Sequence, residues 1–507
     1  FLRHPGAAAL ATLVWALHPV QTDSVTYISG RRDLLCCLFF LWAYLSWPRK
    51  WPQGQNARTL LKSAFSLLLF GLAFESKEMA VTMPVVLALE RRYFINTPLY
   101  KQAEDTPRKD TPRTPMKHPW RVIPVIFLAM LAIIAGIYKG LINPETYEVN
   151  RLWGGSLSNH VMTVFAAYSK YLEWIVAPFN LYGDYSGFPI ADSMTDPRVW
   201  SGLFFLAIIW LGSFFLRDRA PYLSFGLLWF GITMLPVSHI IPHHELLAEH
   251  YLYIPLIGLA IPAGHFIKLG LTGDKERHLK IGICCLCVAY ALKIQDRNRD
   301  FVTEERFAIA VLEEDPSSIR GHLHLAHAYQ RSDRLEEASE IFQWILSEAE
   351  PHHRYVTETE QSLLVTYSSL GRFDEAETLS AEILNRELIH PAHRAYTYRI
   401  LGTIRAQQDR LEEAVALLES SLALAPLIEH THLHLGVTLL RLYEPSQDPD
   451  YLQRAEAHLE FASTHLYDDI DVQFQWAMVA MVQQSWENAR TRLGHVLQMD
   501  PTFIPAI

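Results

Sequence analysis

The first 295 residues form a succession of apolar runs, and this feature limits the fold more than any other. A helix needs about 20 mostly apolar residues to cross a bilayer, and fewer when neighbouring helices bury its ends. By this criterion the sequence predicts nine membrane helices, at residues 5–17, 34–47, 60–74, 79–90, 121–141, 200–216, 220–237, 251–268 and 281–294. We therefore expect an all-α, polytopic membrane helix bundle over residues 1–295.

The basic residues between these runs alternate along the chain. Lysine and arginine are concentrated at 49–62, 91–121, 217–219 and 268–280, whereas they are sparse for their length at 18–33, 75–78, 142–199 and 238–250. Cytoplasmic loops of membrane proteins are enriched in Lys and Arg. The second set of connectors, and the C-terminal half with them, is therefore predicted to lie outside the cytoplasm, in a bacterial periplasm or in the lumen of the endoplasmic reticulum.

One further segment, residues 159–177, is apolar enough to be considered as a span. A tenth span would reverse the charge bias of every later connector, so we predict an amphipathic helix at the membrane interface instead. Its expected lipid headgroup contacts are made by Tyr168, Tyr171 and Trp174, and its expected water-facing residues are Lys170 and Glu173.

Net charge and motif spacing argue against a nucleic-acid-binding protein and against a zinc site. The net charge is -10, and no basic stripe accompanies an aromatic platform, so nucleic acid is not expected as a partner. The stretch HHELLAEH at 243–250 suggests a zinc site. It fits neither the HExxH nor the HxxEH spacing, because Leu246 and Ala248 occupy positions that these motifs reserve for zinc-site residues. No metal site is predicted.

From Asp296 onward the chain is charged and contains a phrase that recurs five times. The copies are DRLEEASEIF, GRFDEAETLS, DRLEEAVALL, LQRAEAHLEF and SWENARTRL, with alanines at Ala338, Ala376, Ala414, Ala455 and Ala489. Their spacings of 38, 38, 41 and 34 residues are near the roughly 34-residue period of tetratricopeptide repeats. We predict an α-solenoid of about five repeats over 296–507, whose groove binds a peptide or partner protein; a helical spacer is the alternative.

Ionisable residues are grouped in four of the predicted outer segments. These are the 18–33 connector, FESKEMA at 74–80, PFNLYGDYSGF at 178–188 and HHELLAEHYLY at 243–253. Each alone could be a turn, a helix end or an aromatic belt. Together, on one predicted side of the membrane, they indicate a polar cavity, in which acidic groups suit general-base work and basic groups suit a phosphate.

Four phrases in these segments resemble, in order, signatures of the transmembrane and tetratricopeptide-repeat family of protein O-mannosyltransferases. They are HPVQTDSVTYISGRRDLL at 18–35, SKE at 76–78, PFNLYGDYS at 178–186 and LPVSHIIPHHELLAEHYLYIPLIG at 235–258. The resemblance implies a membrane domain of the GT-C class. It also implies transfer of a sugar, mannose in this family, from a polyprenyl-phosphate donor to a protein acceptor on the extracytoplasmic face, with no cofactor required.

The resemblance also implies roles for residues of the outer segments. Candidates for the carrier phosphate are Arg31, Arg32, Lys77 and His250. Candidates for orienting donor and acceptor are Asp23, Asp33, Glu78, Asp184 and Glu249. The catalytic carboxylate of the family belongs to a paired acidic motif that is expected upstream of Phe1, so no catalytic residue is assigned in this chain.

The sequence departs from the family pattern at the fourth phrase. His250 follows Glu249 where the family usually has arginine, and Leu256 replaces a serine. A histidine can meet a phosphate, but its charge depends on pH. The alternative function is a non-catalytic, membrane-anchored scaffold whose repeats hold a partner protein.

Overall fold

The protein is all-α over the residues that its computed structural model describes, which are 4–49, 57–94, 152–240, 245–271, 276–349, 355–387 and 389–503. These ranges contain α-helices, short 3-10 turns and one π-helical stretch, and no β-strand. The chain divides into two compact units, unit 1 at Phe1–Ser318 and unit 2 at Ile319–Ile507. The predicted fold class is confirmed.

Unit 1 contains the predicted membrane spans. Its described helices are α1 (Pro5–Ala16), α2 (Thr22–Thr26), α3 (Arg31–Ser46), α4 (Ala57–Ser76), α5 (Met83–Phe94), α6 (Leu157–Val176), α7 (Pro197–Ala207), α8 (Ser213–Leu216), α9 (Pro221–Met234), α10 (Pro255–Leu271), α11 (Glu276–Asp300) and α12 (Glu304–Glu314). The π-helical stretch Ile208–Gly212 joins α7 to α8. Each predicted span that falls on described residues is helical; the span at 121–141 and most of the basic loop before it lie outside them.

Three of the described helices are long and apolar enough to cross a membrane by length and composition. They are α4, the continuous helix Pro197–Leu216 and α11. The others that match predicted spans are shorter, as expected for helices whose ends are covered by neighbours. The predicted domain boundary after residue 295 falls inside α11.

Small residues let the helices of unit 1 approach closely. A side chain at Gly226 in α9 would place its Cβ 2.3 Å from the carbonyl oxygen of Gly258 in α10, and a side chain at Gly258 would meet the Gly226 carbonyl at 2.6 Å. Small residues at a crossing point are typical of membrane helix pairs, because they bring the two backbones into contact. This crossing positions the start of α10, which follows one of the candidate site segments.

The three aromatic residues of α6 are not at a lipid interface. Tyr168, Tyr171 and Trp174 are buried in the protein core of unit 1, so the predicted headgroup contacts are wrong. Their rings instead form edge-to-face contacts along the helix, with centroids 5.7 Å and 5.4 Å apart. The predicted exposure of Lys170 and Glu173 to water fits better, since these residues form an ion pair of 2.8 Å on a partly exposed face.

Unit 2 consists of five consecutive pairs of helices in its described ranges. They are α13 (Ile319–Arg331) with α14 (Leu335–Glu348), α15 (Val356–Ser369) with α16 (Phe373–Leu384), α17 (Pro391–Gln407) with α18 (Leu411–Leu424), α19 (Glu429–Ser446) with α20 (Pro449–His465), and α21 (Ile470–Val482) with α22 (Trp486–Met499). The five repeat alanines all lie in second helices and all are buried. The alanine spacing therefore marks one buried position in the second helix of each pair.

Glycine substitutions test this packing. A Cβ at Gly436 in α19 would lie 2.5 Å from Cγ of Leu459 in α20, whereas a Cβ at Gly494 in α22 would meet no atom within 4 Å. Overpacking a close helix contact costs about 1–3 kcal/mol, and an unobstructed Gly→Ala change in a helix gains about 0.5–1 kcal/mol. We expect Gly436→Ala to lower the melting temperature of the purified chain and Gly494→Ala to maintain or raise it. Shifts of equal sign and size would contradict the close packing.

Candidate functional site

The 18–33 connector folds into short helical turns that bury its polar residues. The His18 Nδ1 atom accepts a hydrogen bond from the Val20 N–H (3.4 Å), and its Nε2 atom donates to the Ile175 carbonyl (3.3 Å). Burial lowers the pKa of His18 to about 4, so this imidazole is neutral and holds the connector against the end of α6. The turn closes at Gly30, where a Cβ would lie 2.4 Å from the Ser24 carbonyl oxygen.

The connector brings two aspartates to ion-pair partners from distant segments. Asp33, in the first turn of α3, accepts from Nζ of Lys77, which follows α4, at 2.6 Å. The Lys77 ammonium also lies 5.6 Å from the ring centroid of Tyr251. The contacts therefore join the first, second and fourth candidate segments through residues that are 44 and more positions apart in sequence.

The second pair joins the connector to the fourth segment. Asp23 Oδ2 lies 2.9 Å from Nδ1 of His250 and accepts from the His250 backbone N–H at 3.2 Å. Burial alone would raise the pKa of Asp23, but the hydrogen bond and charge of His250 hold it below its usual value. Burial likewise opposes protonation of His250, yet Asp23 raises the pKa of this imidazole. The pair thus favours a charged His250.

The third pair lies deepest. The Glu249 Oε2 atom is 2.9 Å from Nη2 of Arg297, and the side chains are 0% and 2% exposed. The other Glu249 oxygen accepts from the Tyr185 hydroxyl (2.6 Å) and from the Gly183 N–H (3.2 Å). Burial and the neighbouring Glu249 raise the pKa of Tyr185 well above its usual value, so its hydroxyl remains a donor. This pair fixes the PFNLYGDYS loop to the fourth segment and to α11.

These pairs form one group, because Glu249 and His250 are neighbours in sequence and because the charge of Asp23 is felt by both His250 and Arg297. We call this group the charge cluster, and it comprises Asp23, Asp33, Lys77, Glu249, His250 and Arg297. Its members differ in exposure. The His250 side chain is 22% exposed and that of Lys77 is 9%, whereas the Glu249–Arg297 pair is fully buried. Among the described residues, the most accessible edge of the cluster is therefore at His250, with Lys77 next in exposure. At this edge Glu245 Oε2 lies 3.9 Å from Nε2 of His250.

The remaining candidates of the sequence analysis are not members of the charge cluster. Arg31 and Arg32 are exposed at the start of α3. Glu78 is also exposed. Asp184 is buried and accepts from the N–H and the hydroxyl of Ser186, each at 3.1 Å. The phosphate-binding role of the two arginines and the orienting role of the two acids stay predictions. His243 and His244 lie outside the described residues.

Two members of the site were not predicted from the sequence. Arg297 follows the last apolar run and was assigned to the repeat half, while Tyr185 was counted only as an aromatic residue of its loop. The signal for Arg297 is the charged phrase QDRNRD directly after an apolar run. A buried arginine requires a carboxylate partner, and Glu249 was available on the same predicted side. Within the described ranges, no three His, Cys, Asp or Glu side chains are grouped as metal ligands.

No protein-family model matches the sequence, but curated proteins do. Protein O-mannosyl-transferase TMTC3 from Homo sapiens is 22% identical over 523 residues, an alignment that covers 98% of this chain and 56% of that protein. Protein O-mannosyl-transferase Tmtc3 from Drosophila melanogaster is 23% identical, covering 86% of this chain and 51% of that protein. This chain is a relative of the transmembrane and tetratricopeptide-repeat O-mannosyl-transferases. It spans about half the length of the curated relatives it matches.

A shorter stretch is more similar to another relative of the family. Protein O-mannosyl-transferase TMTC4 from Mus musculus is 39% identical over 83 residues, which are 16% of this chain and 11% of that protein. The resemblance stated from the four phrases is thus confirmed. The relationship, the three candidate membrane helices and the repeats make the chain a membrane protein with tetratricopeptide repeats.

Solved structures are similar to part of this chain. YrrB, a TPR protein with an unusual peptide-binding site, is 14% identical, with a TM-score of 0.26 over 39% of this chain and 95% of that chain. The pilF protein of Pseudomonas aeruginosa is 17% identical, with a TM-score of 0.31 over 47% of this chain and 92% of that chain. The helix pairs and buried alanines of unit 2 identify the repeats.

The Asp23–His250 pair predicts a specific pH dependence of stability. Because the pKa of His250 is raised above 6.5, its contribution is complete below pH 6.5 and is lost as pH rises through the raised value. Because the pKa of Asp23 is lowered below 3.8, its contribution is complete above pH 3.8 and is lost as pH falls through the lowered value. Between these limits the ion pair stabilises the fold fully.

We therefore expect the difference in melting temperature between the wild-type chain and His250→Gln to be largest near pH 5–6 and to shrink as pH rises through the raised pKa. His278 is exposed on α11, and His278→Gln serves as the control, with little difference at any pH. A wild-type advantage over His250→Gln that grows steadily above pH 6.5 would contradict the assigned pairing.

Proposed function

We propose that this chain is part of a membrane glycosyltransferase that transfers mannose from a polyprenyl-phosphate carrier to a protein acceptor. The observation that carries the proposal is the charge cluster, in which three acid–base pairs from four separate segments meet below a small exposed edge. Burying charges costs several kcal/mol per ion unless they are paired, and such groups in a membrane domain mark functional sites by default. The O-mannosyl-transferase relatives supply the reaction class.

The exposed edge of the cluster suits the phosphate of the carrier. Lys77 and a protonated His250 can each donate to a phosphate oxygen. Asp23 and Asp33 hold these two cations in place before the donor arrives. In this proposal Glu249 and Arg297 do not touch the donor; they position His250 and the PFNLYGDYS loop beside it. We assign no catalytic base.

A cavity of about 270 Å³ between α6, α7 and α9 suits part of the lipid chain of the donor. Its lining is largely apolar and includes Val164, Leu206 and Ile209, with Ser238 and His239 among its polar members. These last two residues precede the segment that carries Glu249 and His250. A largely apolar cavity with a few polar groups matches the hydrocarbon part of the donor.

We further propose that nine spans place the charge cluster and unit 2 on the extracytoplasmic side. The charge bias of the connectors supports this arrangement. A single cysteine introduced at the exposed residue Ser332, in a variant whose native cysteines are replaced by alanine, should react with a membrane-impermeant maleimide from the extracytoplasmic side. Labelling only after the cytoplasmic side is opened would contradict this topology.

The non-catalytic scaffold remains the rival function, and one observation favours it. Each charge of the cluster has an internal partner, as structural ion-pair networks also do. A scaffold would need neither Lys77 nor His250 to be accessible, and it would show no turnover with any sugar donor.

Sugar transfer separates the two functions. The purified full chain in detergent is given radiolabelled polyprenyl-phosphate mannose and a mixture of protein acceptors. We expect label on protein, or hydrolysis of the donor, above the level of a Lys77→Ala/His250→Ala variant. Equal label and hydrolysis in both preparations would contradict the glycosyltransferase and favour the scaffold.

A further inference from the structure

Charge is unevenly distributed between the two helices of each repeat in unit 2. The five first helices together contain six arginines and five acidic residues, whereas the five second helices contain three arginines and fifteen acidic residues. Seven histidines also lie on first helices, against three on second helices. The layer of first helices therefore has almost no net charge, whereas the layer of second helices is strongly negative.

The first helices form a continuous layer of their own. Successive first helices pack on each other, α15 on α17, α17 on α19 and α19 on α21. Side chains also link them: the Gln330 amide donates to the Thr366 hydroxyl (3.0 Å), and the Ser368 hydroxyl donates to the Gln407 amide oxygen (3.2 Å). In a solenoid of helix pairs, the layer whose helices contact each other in this way lies on the inside of the curve, where extended ligands bind.

Some cations of this inner layer already have carboxylate partners. Arg405 pairs with Glu377, and Arg441 pairs with Asp409 at 3.0 Å. His327 lies 3.5 Å from Glu358. These contacts are intramolecular and leave little free charge at these three residues.

Arg399, in the middle of the layer on α17, is different. Its guanidinium carbon lies 4.4 Å from the ring centroid of Tyr396, and no carboxylate pairs with it among the described residues. Burial lowers the pKa of Arg399. Burial, with the charges of Arg399 and His430, also lowers the pKa of His434 on the next first helix to about 4. The partly buried Arg399 guanidinium, whose charge is felt by the neutral His434, is therefore left without a carboxylate partner among the described residues.

We propose that the inner face of unit 2 binds an acidic polypeptide segment, and that Arg399 receives one of its carboxylates. The Tyr396 ring holds the guanidinium, so little side-chain freedom is lost when the ion pair forms. The neutral imidazole of His434 has one N–H that can donate to the same carboxylate. This inference rests on the proposed role of unit 2 in binding a protein, but it does not depend on sugar transfer by unit 1.

The charge distribution of unit 2 favours an acidic peptide over a larger polyanion such as nucleic acid. An arginine without a carboxylate partner matches a single carboxylate, whereas nucleic acid needs many phosphate contacts for affinity. The acidic second helices and the net charge of -10 would repel such a polyanion. A peptide with a few acidic residues can instead extend along the inner layer and place one of them at Arg399.

The test measures peptide binding to the full-length chain in detergent by fluorescence anisotropy. The probe is a labelled Gly-Ser peptide that carries several glutamates, and its matched partners carry glutamine or lysine at the same positions. We expect the wild-type chain to bind the glutamate peptide at least about tenfold more tightly than the glutamine peptide, with affinity falling as salt is added. Equal binding of these two peptides would overturn the proposal.

Variants separate this site from general electrostatics and from misfolding. Arg399→Gln should abolish the preference for glutamate. Arg454→Gln, the same charge change on the second helix α20, should retain it. Arg399→Glu should prefer the lysine peptide, a gain that an unfolded chain cannot show. An unchanged glutamate preference in Arg399→Gln would contradict the assignment of the residue.

The result is distinguishable from the outcome of the transfer assay. A chain that prefers the glutamate peptide but transfers no sugar would support this inference and contradict the glycosyltransferase. A chain that transfers sugar but does not distinguish the peptides would contradict this inference alone.

Discussion

Replacing Arg297 by methionine is expected to lower the free energy of unfolding of the protein by about 3–5 kcal/mol. The substitution removes the guanidinium that lies 2.9 Å from the Glu249 carboxylate. Because the two side chains are almost fully enclosed in the wild-type chain, the carboxylate stays buried without its partner. Tyr185 and Gly183 still donate to one carboxylate oxygen, but no cation balances its charge. The loss is measured by thermal and denaturant unfolding of the detergent-solubilised chain.

Two further variants make the measurement specific. Arg299→Met removes an exposed arginine two residues further along α11 and should change stability by less than about 0.5 kcal/mol. The double variant Arg297→Met/Glu249→Gln removes both charges and should recover a large part of the loss, because the cost comes from the unpaired carboxylate. A double variant as unstable as the single one would show that packing of the arginine, rather than its charge, dominates.

The second large effect concerns catalysis. Lys77→Ala is expected to reduce sugar transfer by about 100-fold or more, because a charged donor aimed at the carrier phosphate is lost from a water-poor site. Lys77→Arg should retain part of the activity, since a guanidinium also binds phosphate. Lys170→Ala is the matched control, because Lys170 pairs with Glu173 on a partly exposed face of α6 and should transfer at the wild-type rate.

Loss of Lys77 also leaves Asp33 without its buried partner, so a fall in activity alone would not identify a binding role. The double variant Lys77→Met/Asp33→Asn removes both charges and should melt closer to the wild-type chain than Lys77→Ala does, because no carboxylate stays unpaired. We expect it to remain inactive. Restored transfer in this double variant would contradict a direct role of Lys77 in donor binding.

Much of the fold follows from patterns that act over short distances in the sequence. The apolar runs coincide with helices because a helix satisfies its own backbone hydrogen bonds. The repeat alanines mark helix contacts because only a small side chain fits where two helices touch, as the burial of Ala376 and Ala414 illustrates. The aromatic residues of α6 were misplaced because amphipathicity alone cannot tell whether lipid or protein covers the apolar face.

The candidate site was predictable only in part. Its segments were identified because ionisable residues are rare next to apolar runs, and this rule selected Asp23, Asp33, Lys77 and His250. The pairings between them depend on tertiary contacts across 44 positions for Asp33 and Lys77 and 227 positions for Asp23 and His250, and no local pattern contains them. Arg297 was missed for the same reason, since its partner Glu249 is near only in the folded chain.

Binding of the sugar donor tests the central claim most directly, because it requires neither an acceptor nor turnover. Radiolabelled polyprenyl-phosphate mannose is equilibrated with the wild-type chain, with the Lys77→Met/Asp33→Asn variant and with Lys170→Ala, all in detergent, and bound label is counted. We expect saturable binding to the wild-type chain and to Lys170→Ala, and a loss of at least about tenfold in affinity in the double variant. Equal binding to all three chains, or binding to none of them, would contradict the assignment of the charge cluster as the donor site.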